Sequence, residues 1–102
     1  GSNSKMASVE KKQDQRTQSK RSYQEQKEFN RKLRRLERET EEAVKKVEEI
    51  ENKLAEMEAK LATPEGAADM DLLQQYLEVK AKLDRALNNW ERLALELEEY
   101  ND

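Results

Sequence analysis

No cysteine and no histidine occur anywhere in the 102-residue chain. That excludes disulfides, thiolate chemistry, imidazole acid–base catalysis and the usual zinc sites. The only glycines are Gly1 and Gly66, so no glycine-rich phosphate loop is present. The longest uninterrupted apolar run is Leu93-Ala94-Leu95, far too short for a membrane span or a signal-peptide core. No membrane partner is expected, nothing argues for secretion, and the expected location is cytoplasmic. Gly1-Ser2 reads as a purification-tag remnant. With 34% hydrophobic against 42% charged residues, a broad globular core is excluded. Such a chain folds only if its apolar residues recur at a helical period and bury a narrow seam.

The net charge of −3 conceals two opposite halves. Residues 1–38 hold twelve Lys/Arg against five Asp/Glu, and residues 39–102 hold eight against eighteen. Charge asymmetry of this kind suggests an interaction arm followed by a solvated structural body. Residues 1–19 are rich in Ser, Gln, Lys and Asn and carry little that is apolar beyond Met6, Ala7 and Val9. They read as a disordered linker, ahead of a helix expected over about residues 22–62.

From Phe29 the pattern becomes regular. Phe29, Leu33, Leu36, Thr40, Ala43, Val47, Ile50, Leu54, Met57 and Leu61 alternate by four and three residues without a slip. With Leu33 at a and Leu36 at d, all lie on a coiled-coil seam, and only Thr40 is polar. Thr63-Pro64-Glu65-Gly66 then ends the helix, since Pro64 disfavours helical backbone before it and Gly66 permits a reversal. Thr63 before Pro64 is suited to capping a short turn in the connector, residues 63–69, and Asp69 to capping the next helix.

Helix two is expected over about residues 70–100. Leu73, Tyr76, Lys80, Leu83, Leu87, Trp90, Ala94 and Leu97 continue the alternation, and a stripe of Leu72, Val79, Ala86, Leu93 and Tyr100 flanks them at g. The expected fold is all-α: an antiparallel two-helix coiled-coil hairpin, monomeric, over residues 20–102, with a flexible basic N-terminal segment. The shortest connector gives layers whose residue numbers sum to about 130. Leu33 then faces Leu97, Met57 faces Leu73, and Trp90 sits beside Thr40 and Ala43. Lys80 falls in the seam near Ile50, where it sets register or reaches out to Glu51. The flanking g stripe gives helix two the wider apolar face, which either wraps the hairpin partner generously or docks on something else.

Two narrow helices cannot enclose a water-excluded pocket, so no catalytic residues, metal or cofactor are expected in this chain. Runs such as Glu48-Glu49 and Glu98-Glu99 read as solvated outer faces. The informative feature is basic. Lys20, Arg21, Lys27, Arg31, Arg34, Arg35 and Arg38 all fall at b, c or f, away from the seam. If helical, they form one stripe of roughly 27 Å, suited to tracking a phosphate backbone. Tyr23 and Phe29 are candidates for added stacking, although Phe29 is better explained as the first seam residue. No base-reading motif is visible, so binding would be driven by shape and charge. The bland alternative is a solvated face that supports solubility.

One stretch is more specific. Ser22-Tyr23-Gln24-Glu25-Gln26-Lys27-Glu28 resembles the "LSYKEQRELE" segment that follows the second nucleotide-binding domain of ABC-F ATPases, with Arg21 in place of the usual leucine. Leu61-Ala62-Thr63-Pro64-Glu65 is similar to the "LADPE" turn of that family. Asn89-Trp90-Glu91-Arg92-Leu93 is similar to its closing "RWEEL" segment, with Asn89 replacing arginine. Order and spacing agree from Lys20 to Tyr100. The resemblance implies the C-terminal accessory domain of a bacterial Uup-type ABC-F ATPase, a DNA- or ribosome-associated protein without membrane domains. It further implies that the hairpin binds DNA or ribosomal RNA, and that ATP and Mg belong to ATPase domains upstream. Arg21 strengthens the basic stripe, whereas Asn89 removes a cation from helix two. The competing expectation is a structural spacer or docking arm that contacts the ATPase core or a protein partner.

Overall fold

The computed structural model describes the backbone of residues 2–101 and the side chains of Lys20 and residues 22–101. Three helices follow one another: α1 (Ser2–Leu61), α2 (Pro64–Ala67) and α3 (Met70–Asn101). The helix expected near residue 22 therefore begins at Ser2, and the stretch expected as a linker has helical backbone. The physical reason is the absence of any glycine or proline between Ser2 and Thr63, in a run rich in Lys, Gln, Glu and Arg. The side chains of residues 1–19 lie outside the described residues. The chain divides into two compact units, Gly1–Arg34 and Arg35–Asp102, and the boundary falls within α1.

The second unit is the antiparallel hairpin. On α1, Leu36, Ala43, Val47, Ile50, Leu54 and Met57 are buried, as the four–three alternation predicts. Near the reversal, Ile50, Leu54 and Met57 cluster with Val79, and Leu72, Tyr76, Leu83 and Ala86 pack against them. At the other end, Leu36 and Ala43 cluster with Leu93, and Leu97 and Tyr100 close over the group. Residues late in α1 thus meet residues early in α3, and the reverse, which defines the antiparallel sense. Full burial of each such aliphatic side chain contributes about 1.5–3 kcal/mol. Thr40, the polar member of the seam, turns its hydroxyl inward and donates to the Leu36 carbonyl at 2.7 Å.

The seam of α3 differs from the expected one. Val79 and Leu93 are its buried residues, at 7% and 4% exposure, whereas Leu73 and Leu87 are 39% and 38% exposed. The stripe Leu72, Val79, Ala86, Leu93 and Tyr100, expected as a flank, belongs to the core together with Tyr76, Leu83 and Leu97. Lys80 is therefore not in the seam. It is exposed, and its ammonium lies 5.9 Å from the Tyr76 ring centroid. Burying Lys80 would strip a cation of water without a partner, and the uncharged alternative stripe avoids that cost.

A side-chain hydrogen bond also crosses the hairpin. Tyr76 donates to Glu58 Oε1 at 2.9 Å, one turn beyond Leu54, the residue that the expected layers place against it. Ala43 clusters with Leu93, and Trp90 lines a groove with Val44, Val47 and Leu87. The hydrogen bond to Glu58 is the main cause that raises the Tyr76 pKa above its ordinary value, with desolvation and the carboxylate charge adding to it.

The reversal is tightly wound. Thr63 caps α2 with extended backbone, and its hydroxyl accepts from the Gly66 N–H at 3.0 Å. Asp69 caps α3 by accepting from the Leu72 N–H at 3.1 Å. Gly66 has no positive φ. It is required for a different reason: a Cβ there would run into the Lys60 carbonyl oxygen.

Candidate nucleic-acid interface

The cations singled out by sequence fall in both units. In the first, Lys20, Lys27, Arg31 and Arg34 are exposed on α1, and the Arg21 side chain lies outside the described residues. At about 100° per residue, Lys20, Lys27, Arg31 and Arg34 share an arc of roughly 60° on the helix circumference. Phe29 and Leu33 occupy the opposite side of the same helix. Among the described residues, Lys27, Arg31 and Arg34 enter no ion pair. Lys27 and Arg31 line a shallow surface groove with Gln24 and Glu28. Nearby, Gln26 donates to Asn30 Oδ1 at 3.2 Å.

In the second unit Arg35 and Arg38 are exposed at the start of the hairpin. Arg35 is partly engaged, with its Nε 3.9 Å from Glu39 Oε1. Both partners are well exposed, so this long surface pair is weak and easily exchanged for a phosphate. Beyond Glu39, the outward positions Glu41, Glu42, Glu48 and Glu49 are acidic and exposed. On α3, Arg92 reaches Glu96 at 3.2 Å and Asn89 at 3.0 Å, so its guanidinium is held along its own helix.

Two expected aromatic contributors separate. Tyr23 is 70% exposed, on the basic side of α1. Phe29 is 41% exposed and lies on the apolar side. What the sequence reading missed is on α3, where Leu73 and Leu87 are exposed although their pattern suits a seam. The signal available was Lys80, whose charge argues against burying that stripe.

The one internal glycine, Gly66, is buried with its N–H taken by Thr63, and no group of three or more carboxylates among the described residues could hold a metal ion. Among the described residues, no helix is long and apolar enough to cross a membrane. The fold class is an all-α antiparallel hairpin. No known protein family, curated protein or solved structure matches the chain.

Proposed function

We propose that this chain is a non-catalytic nucleic-acid-binding domain, the C-terminal accessory domain of a cytoplasmic Uup-type ABC-F ATP-binding protein. The observation that carries the reading is the run of exposed cations Lys27, Arg31 and Arg34 along one arc of α1, which enter no ion pair among the described residues. Lys20 and Arg21 extend the set towards the N-terminus and Arg35 and Arg38 towards the hairpin. Heads held on a regular helical stripe neutralise successive phosphates and release counterions, which requires no base readout. DNA or ribosomal RNA is the ligand class. The ATP and Mg that the resemblance implies would be held by ATPase domains upstream, and no step here runs through them.

The test is fluorescence anisotropy with duplex DNA, branched DNA and structured RNA over a salt series. If about four phosphates are engaged, affinity for duplex falls roughly a hundredfold between about 50 and 200 mM salt. Replacing Arg31, Arg34, Arg35 and Arg38 by Glu abolishes binding and leaves the helical circular-dichroism signal intact. Undiminished binding by that variant removes the basic stripe from the mechanism.

A second reading has its own observation. Leu77 is 57% exposed on α3, one turn from exposed Leu73, and Leu87 is exposed farther along the helix. A spacer or docking arm that seats this flank on the ATPase core or a protein partner accounts for that exposure. It predicts a domain that ignores nucleic acid in the same assay.

A further inference from the structure

Tyr23 differs from the aromatic side chains of the hairpin in its surroundings among the described residues. Tyr76 is tied to Glu58, Tyr100 closes the far end of the core, and Trp90 lines the groove with Val44 and Val47. Tyr23 is 70% exposed and makes no hydrogen bond or ring contact among the described residues. Its position on α1 is specific. Among the cations of this unit whose side chains are described, the longest interval is the seven positions from Lys20 to Lys27, and Tyr23 stands within it, three residues from Lys20 and four from Lys27. Residues so spaced are neighbours on a helix surface. Lys20, Tyr23, Lys27, Arg31 and Arg34 together occupy an arc of about 80°.

From this placement we infer that Tyr23 is a base-stacking platform, and that the stripe's preferred ligand is single-stranded nucleic acid. The inference rests on the phosphate-tracking reading above and adds the ligand's strandedness to it. In a duplex the bases are stacked on one another and their faces are closed to a side chain on a phosphate-tracking helix. In an unpaired strand each base offers a face, and every base has one, so the contact is indifferent to sequence. Lys20 and Lys27 would hold phosphates on either side of the base that lies on the Tyr23 ring. The ring rather than the hydroxyl does this, so phenylalanine serves equally well.

The experiment compares three fluorescent ligands at one low salt concentration: a thymidine oligomer, the same oligomer with abasic residues, and a duplex of equal length. The whole chain and its Tyr23→Ala and Tyr23→Phe variants are titrated against each. The unmodified chain binds the thymidine oligomer about tenfold more tightly than the abasic one. Tyr23→Ala loses that preference and binds both oligomers alike, Tyr23→Phe keeps it, and duplex binding is the same for all three proteins. Equal binding of the thymidine and abasic oligomers by the unmodified chain overturns the stacking role while leaving phosphate tracking in place. So does a Tyr23→Ala loss of equal size on every ligand. Binding of none of the three ligands overturns phosphate tracking, and stacking with it.

Discussion

The Thr63 hydroxyl donates to the Lys60 carbonyl at 2.6 Å while accepting from the Gly66 N–H at 3.0 Å. That double role winds Pro64–Ala67 back against the end of α1, with Pro64 at a position where its missing N–H costs nothing. It also brings the Gly66 backbone against the Lys60 carbonyl, a rigid neighbour that cannot move aside as a flexible side chain would. Gly66 is therefore set by close approach, not by a left-handed conformation. Gly66→Ala gains about 1 kcal/mol of helix propensity in principle. The clash outweighs it, because overpacking against a fixed group costs roughly 1–3 kcal/mol. The expected outcome is a net loss of stability in urea denaturation with unchanged helical content. A stabilised variant would show that the connector relaxes freely.

On α3 two apolar stripes compete for one seam, and they share Tyr76, Leu83, Trp90 and Leu97. One adds Leu73, Lys80, Leu87 and Ala94, and the other adds Leu72, Val79, Ala86, Leu93 and Tyr100. The structure selects the second, which has no charge to desolvate. Leu93→Ala is expected to cost about 2–5 kcal/mol, whereas Leu87→Ala, already well exposed, costs under about 1 kcal/mol. Equilibrium unfolding of the two variants measures the difference, and a reversed order would restore the Lys80-containing seam. The α1 seam from Leu36 to Met57 was legible from sequence because nothing competes with it on that helix. Both caps were legible too, since Thr63 before Pro64 and Asp69 before Met70-Asp71 are local chemistry. Register was not, because periodicity fixes which face is buried and not how far two helices slide. The cross-helix bond from Tyr76 to Glu58 is likewise contained in no single-helix pattern.

Across the whole chain, charge and packing divide at the same place. Residues 1–34 hold ten Lys/Arg against four Asp/Glu, and residues 35–102 hold ten against nineteen. The chain divides into its compact units at that position, and both buried clusters lie in the second. Of the candidate interface, sequence gave the identity and helical phase of the cations. The exposure of Tyr23 and the weak engagement of Arg35 by Glu39 needed coordinates. A fragment of residues 35–102 contains every side chain of the two clusters, with the cap and connector bonds intact. It is expected to unfold cooperatively in urea, with helical content matching its length. It also carries a net charge of −9, so its long-range field repels a polyanion, whereas residues 1–34 carry +6. At about 50 mM salt, where phosphate contacts are strongest, the fragment is expected to bind neither DNA nor RNA while the whole chain binds. Arg35 and Arg38 remain in the fragment, so the comparison separates them from the cations of residues 20–34. Binding retained by the fragment would move the interface onto the acidic hairpin. A fragment that fails to fold would instead make the first unit part of the hairpin's stability, which hydrogen exchange at Leu36 and Leu93 in the whole chain would register as shared protection.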